Sequence, residues 1–248
     1  MNTTDNIQQP LISPGKVYLI PSSLYENVHT TIPPYVLDAI KDCRAFFAED
    51  ERTTRRYFKS LWKEMNIDDY QWATIHKAEA KVKKQFLDIL AKGKNIGIVS
   101  EAGCPGIADP GQLLVAAAQH AGYIVRPLVG PSAILLALMG SGLNGQQFEF
   151  LGYLPIENME RIKTIKQIES ASARKNSTQI FIETPYRNNQ LLEMLLKTCQ
   201  PPTWLCIAAD LTSESEFIQT KTIAEWKKQA PDLHKRPVIF CLLNDRSA

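Results

Sequence analysis

Short apolar runs alternate with amphipathic segments along the chain, and the alternation predicts strands separated by helices. The run at 17–20 opens the pattern and is closed by Pro21, Ser22 and Ser23. Helical spacing of Val36, Leu37 and Ile40 follows over 33–43, with Pro33 and Pro34 near its start. Strands are then expected at 45–48, 71–75, 96–100 and 124–127, with helices at 53–62, 80–91 and 112–121. Such a series implies right-handed crossovers and a mainly parallel sheet. A new series begins after Leu128-Val-Gly-Pro-Ser132 with a helix at 133–139, broken by Gly140-Ser-Gly142. Strands are expected there at 148–151, 179–182, 204–209 and 238–243, and helices at 160–170, 188–199 and 223–229. The pattern therefore predicts a flexible tail at 1–14, an α/β domain at 15–129 and a second α/β domain at 130–248.

The run Val99-Ser-Glu-Ala-Gly-Cys-Pro-Gly-Ile-Ala-Asp-Pro-Gly111 interrupts this regularity most sharply. An apolar strand ends in a turn rich in Gly and Pro before a helix resumes, at the strand end where open α/β sheets bind ligands. Gly103, Gly106 and Gly111 permit close backbone approach, and Pro105 and Pro110 stiffen the turns between them. An ordinary strand-to-helix connection uses the same residue types, so the loop alone leaves both readings open. No G-x-G-x-x-G follows the first strand and no G-x-x-x-x-G-K-[ST] occurs, which disfavours ordinary dinucleotide and P-loop nucleotide binding.

Composition narrows the class. The chain has 248 residues, 44% of them hydrophobic, enough to bury a sizeable core. No apolar stretch approaches the roughly 20 residues that a bilayer span needs, and the first residues are polar, so no membrane association and a cytoplasmic location are expected. The five cysteines lack C-x-x-C spacing, and His29, His76, His120 and His234 lie in separate elements, so no metal is expected. A net charge of +2 demands no polyanionic partner. Locally, however, Arg52, Arg55, Arg56 and Lys59 fall at i, i+3, i+4 and i+7 of a predicted helix, either a phosphate-binding face or a solvated one.

Separated segments resemble, in order, the tetrapyrrole (corrin/porphyrin) methylase superfamily, most closely its ribosomal RNA small-subunit methyltransferase I family. These are Ala48-Glu-Asp-Glu-Arg-Thr-Thr-Arg55 (family A-E-D-T-R-x-T-R), Ser100 to Gly111 (S-D-A-G-T-P-x-I-S-D-P-G), Gly130-Pro-Ser-Ala133, Phe150-Leu-Gly-Tyr-Leu-Pro155, Glu183-Thr-Pro-Tyr-Arg187 (E-S-P-H-R) and Asp210-Leu-Thr212 (E-L-T). The resemblance implies two α/β domains with mainly parallel or mixed sheets, S-adenosylmethionine in the cleft between them, and a homodimer. Carried over by position, it places the cofactor contacts at Pro21, Glu101, Ala102, Gly103, Cys104, Pro105, Ile107, Ser132, Ala133, Ile182 and Ala209. It implies methylation of a ribose 2′-hydroxyl in small-subunit ribosomal RNA. Asp50 and Glu49 are the candidate proton acceptors, and Arg52, Arg55 and His76 the candidate RNA contacts. Asp50 is equally well placed to cap the following helix. Cys104 reads as a space-filling residue rather than a nucleophile.

The sequence departs from the family pattern at several points. Ile20-Pro-Ser-Ser-Leu-Tyr25 stands for T-P-I-G-N-L, His76-Lys-Ala-Glu79 for H-E-H-N, Ile156-Glu157 for a basic pair, and Ala209 for an arginine. Two further readings stay open: a methyltransferase with a small acceptor such as a tetrapyrrole, and a non-catalytic S-adenosylmethionine-binding protein.

Overall fold

A computed structural model describes residues 13–25, 29–75 and 80–244. The chain divides into two compact units, which meet in sequence between Pro131 and Ser132; Leu24 belongs with the second.

The first unit runs β1 (Lys16–Ile20), α1 (Tyr35–Asp42), β2 (Ala45–Ala48), α2 (Glu51–Leu61), β3 (Gln71–Thr74), α3 (Ala80–Ala91), β4 (Ile96–Val99), α4 (Gln112–His120) and β5 (Ile124–Pro127). Its sheet has the order β3-β2-β4-β1-β5, and every pairing is parallel. Every residue of β2 and β4 is buried, as expected of strands covered on both faces. Successive side chains point to opposite faces, so Phe46 packs with Val36, Ile40 and Phe58 while Phe47 packs with Phe86, Leu90 and Leu114. Parallel strands bring their carboxyl ends to one edge. Pro21 and Ser22, Glu49 and Asp50, and the glycine-rich loop after Val99 all leave the sheet there.

The second unit runs α5 (Ala133–Ser141), β6 (Phe148–Tyr153), α6 (Asn158–Lys175), β7 (Thr178–Ile182), α7 (Asn188–Thr198), β8 (Trp204–Ala209), β9 (Phe217–Thr222), α8 (Ile223–Trp226) and β10 (Val238–Leu243). Its sheet, β6-β7-β10-β8-β9, is mixed: β6 and β7 are parallel, and β10 runs antiparallel to both β7 and β8. Ala137 and Leu138 of α5 cover one face against Ile180, Cys206 and Cys241. Ile165, Ile168, Leu191 and Leu195 of α6 and α7 cover the other against Phe181, Ile207 and Phe240.

Helix α8 is shorter than the expected 223–229 and β6 runs on to Tyr153, and two further elements differ more. Strand β9 is an antiparallel edge partner of β8 where no strand was expected, and none of its residues is buried. Helix α6 is longer at both ends than 160–170. The Glu157 carboxylate accepts from the Met159 and Glu160 amides at its start, and Asn176 ends it in the left-handed region at φ 47°.

Candidate functional site

The glycine-rich loop is anchored to the loop that follows β1. Ser22 and Gly103 exchange two backbone hydrogen bonds, Ser22 N to Gly103 O at 2.9 Å and Gly103 N to Ser22 O at 3.0 Å. The Ser22 hydroxyl also donates to the Ser100 carbonyl at 2.8 Å. This serine stands where the family pattern has an apolar residue, and nothing in the sequence marked it as the anchor. Within the loop, Asp109 accepts from the Gly106 and Gly111 amides at 2.8 and 2.7 Å. Gly106 sits at φ 83° with nothing within 4 Å of where a Cβ would stand, so its backbone faces open space. Ile107 beside it is exposed. Backbone open at a left-handed glycine beside an exposed apolar side chain fits the close approach of a ligand with both polar and apolar parts.

The G-P-S-A turn meets the same anchor. A Cβ on Gly130 would lie 2.1 Å from Cβ of Pro21, so only glycine lets this turn close over the loop after β1. Tyr57 donates from its hydroxyl to the Pro21 carbonyl at 2.9 Å. The Cys104 thiol donates to the Pro131 carbonyl at 3.4 Å, and burial pushes its pKa up, away from a reactive thiolate. Ser132 caps α5, accepting from the Leu135 amide at 3.5 Å, and Ala133 opens that helix.

The carboxylates at this edge divide by role. Asp50 caps α2, accepting from the Thr53 amide at 2.6 Å, and that bond holds its carboxyl below the usual range. Glu49 accepts from the Ser100 hydroxyl and the Glu101 amide, both at 2.8 Å, so it ties β2 to the start of the glycine loop. Glu101 is exposed, and its carboxyl is pushed up by desolvation and by the neighbouring charges of Glu49 and Asp50.

The basic face of α2 is largely engaged. Arg55 pairs with Glu51 at 2.7 Å and lies over the Trp72 ring at 4.9 Å, and Glu51 in turn accepts from the Thr74 hydroxyl. Lys59 donates to the Lys63 and Met65 carbonyls past the end of the helix. Arg55, a candidate RNA contact, thus has its guanidinium paired with Glu51 and laid over Trp72 while its side chain stays 41% exposed. Arg52 is exposed. His76 lies outside the described residues.

In the second unit, Ile182 and Ala209 end β7 and β8 at the same edge of the sheet, opposite Ile239 and Val238 of β10. Ala209 is fully buried and Ile182 partly exposed. Directly after Ile182, Glu183 forms a buried hub. It accepts from Arg161 at 2.9 Å and from Arg187 at 2.7 and 3.0 Å. Burial alone would push its carboxyl up, but the Arg187 and Thr184 hydrogen bonds and both guanidinium charges bring it below the usual range. Arg161 also donates to the Pro155 carbonyl at 2.5 Å, which joins the Tyr-Leu-Pro and Glu-Thr-Pro-Tyr-Arg segments through one side chain. Arg161 escaped sequence reading because it lies in an otherwise unremarkable helix. Asp210 pairs with Arg236 at 2.6 Å. Among the described residues no group of at least three His, Cys, Asp or Glu side chains gathers to hold a metal, and no helix is long and apolar enough to cross a membrane.

The family model of the tetrapyrrole (corrin/porphyrin) methylases matches residues 31–227. The ribosomal RNA small subunit methyltransferase I of Vibrio cholerae is 32% identical over 222 residues, which cover 90% of this chain and 73% of that protein. That of Micromonospora olivasterospora is 34% identical over 173 residues, 70% of this chain and 52% of its own length, so the match spans about half of that relative. Among solved structures, the methyltransferase CobJ superposes with a TM-score of 0.63 at 18% identity, covering 93% of this chain and 94% of its own. The uroporphyrin-III-C-methyltransferase from Thermus thermophilus gives 0.53 at 15% identity, with 92% of each chain covered. At these identities the structural likeness speaks for the fold.

Proposed function

Because this chain belongs to the tetrapyrrole (corrin/porphyrin) methylase family, we propose that it is an S-adenosylmethionine-dependent methyltransferase that modifies a ribose 2′-hydroxyl of small-subunit ribosomal RNA. The observation that carries the substrate is the likeness over 90% of this chain to a relative named for that RNA. The loop geometry supports the cofactor: Gly106 presents backbone to open space, and the Ser22–Gly103 bridge holds the loop in place. The first unit would hold the cofactor through Pro21 and the segment Glu101, Ala102, Gly103, Cys104, Pro105 and Ile107. The second would do so through Ser132, Ala133, Ile182 and Ala209, the last through its backbone alone, since its side chain is buried.

When bound, S-adenosylmethionine supplies an electrophilic methyl group on a sulfonium. The protein has to hold the acceptor oxygen in line with it and receive the hydroxyl proton. Burial raises the proton affinity of both Glu101 and Asp109 at the first sheet's edge, but Asp109 is bound by the Gly106 and Gly111 amides, whereas the Glu101 oxygens carry no bond among the described residues, and we assign Glu101 the proton. Glu49 acts as a positioning residue by gripping the Glu101 amide. Asp50 sets the start of α2 and adds negative charge that raises Glu101.

Methylation of a small acceptor is the second reading, favoured by the engagement of Arg55 with Glu51 and Trp72. We further propose a cytoplasmic homodimer, which sedimentation at micromolar concentration tests: a monomeric mass refutes the assembly. Calorimetric titration with S-adenosylmethionine and its demethylated product tests the cofactor. Absence of both heat and thermal shift at millimolar ligand would overturn the reading.

A further inference from the structure

The edge of the second sheet that carries Ile182 and Ala209 also carries an exposed ring among cations. The loop 183–187 after β7, with the first turn of α7, and the loop 232–237 before β10 lie there and are laced together. Lys235 donates its amide to the Pro185 carbonyl at 3.0 Å, the Asn188 side chain donates to the Arg236 carbonyl at 2.7 Å, and the Leu233 amide donates to Asn189 at 2.8 Å. Asn189 also donates to the Asp232 carboxylate at 2.7 Å. On this fixed base Tyr186 is 71% exposed, and His234 meets its ring edge-on at a centroid distance of 6.1 Å.

Most of the Tyr186 ring is left open to solvent, with His234 against its edge. Around it Lys235, Arg187, Arg161 and Arg236 face Glu183, Asp210 and Asp232, one cation in excess. His234 and Lys235 are both exposed, and Arg187 remains 34% exposed while it pairs with Glu183. Because one Glu183 carboxylate faces two guanidiniums, from Arg161 and Arg187, that cluster keeps a net positive charge. Arg236 is matched by Asp210, and Asp232 is the carboxylate within the lacing itself. An exposed ring beside Lys235 and Arg187 on a backbone laced by hydrogen bonds suits an unpaired nucleotide, whose base stacks while its phosphate meets the charges.

We propose that Tyr186, His234, Lys235 and Arg187 form the surface that holds an unpaired nucleotide of the RNA substrate, the base on the Tyr186 ring and a phosphate against Lys235 and Arg187. This rests on the RNA reading above. It adds to the candidate contacts on α2 an RNA contact at a sheet end that also carries Ile182 and Ala209, two of the assigned cofactor contacts.

The test uses the full chain with two probes, purified small ribosomal subunits and a fluorescent single-stranded oligoribonucleotide. Tyr186→Ala should weaken oligoribonucleotide binding about 5-fold or more, Tyr186→Trp should restore it, and affinity for S-adenosylmethionine should not change. Lys235→Gln should flatten the dependence of log affinity on log salt by about one unit. With subunits as substrate, Tyr186→Ala should raise KM by more than it lowers kcat. Unchanged RNA affinity and KM in a folded Tyr186→Ala protein would overturn the proposal. So would a change of oligomeric state with RNA binding intact, which would make the patch a protein contact. If the wild-type chain binds S-adenosylmethionine yet neither binds nor methylates RNA, the RNA reading falls and this surface falls with it.

Discussion

Replacing Glu183 by Gln removes the charge that two arginines share while leaving the side chain's shape. Both Arg161 and Glu183 are only 1% exposed as side chains, so Arg161 would be left as a buried cation without a counter-charge. One of its terminal nitrogens, Nη1, already has no hydrogen-bond partner among the described residues. Loss of one partner from such a pair costs about 3–5 kcal/mol. For a chain of this length that corresponds to a fall in Tm of about 6–20 °C, read by calorimetry or by urea denaturation followed by circular dichroism. The pH dependence fixes the sign. Glu183 has a folded-state pKa below its ordinary value of about 4.3, so it contributes stability above that value and loses it as pH falls through the lowered one. The gap between wild type and Glu183→Gln should therefore be full at pH 7 and shrink in acid below about pH 4. Replacing the pair together, Arg161→Met with Glu183→Leu, should recover most of the loss. A cost under about 1 kcal/mol for Glu183→Gln, or a gap that does not change with pH, would refute the argument.

Gly106→Ala puts a methyl group into the open space of the glycine loop without striking any protein atom, so S-adenosylmethionine affinity should drop at least tenfold by titration while Tm falls only a few degrees. Gly103→Val would test the loop less cleanly, because Gly103 also carries the bridge to Ser22. Glu101→Gln, assayed at saturating S-adenosylmethionine because Glu101 is also an assigned cofactor contact, should lower single-turnover methyl transfer by roughly 10²–10⁴. Asp50→Asn should destabilise the chain through its lost cap, seen as a lower Tm, and change turnover per folded molecule far less than Glu101→Gln does.

The strands were legible where burial is complete. The four residues of β2 and the six of β10 form unbroken apolar runs with the boundaries read from sequence. Strand β9 was not, because Phe-Ile-Gln-Thr-Lys-Thr is an edge strand with polar residues on both faces and owes its place to β8. The glycine loop was visible as a break in the pattern, yet its anchor was not. Ser22 looked like a departure from the family pattern until Gly103 and Ser100, about 80 residues away, supplied its partners. The stripe of cations on α2 is helical as read, but periodicity carries no information on Trp72, which comes from β3 to cover Arg55. For the same reason Glu49 read as a candidate proton acceptor with no sign that one of its oxygens accepts from both Ser100 and Glu101.

Methyl transfer to ribosomal RNA is tested by following a labelled methyl group. The protein is incubated with methyl-labelled S-adenosylmethionine and either small ribosomal subunits or a pool of small metabolites, tetrapyrroles included. Label is expected in small-subunit RNA, at a nucleotide whose 3′ linkage becomes resistant to alkali because its 2′-oxygen is methylated. Label found only in a small molecule, or cofactor binding with no transfer to either pool, would contradict it.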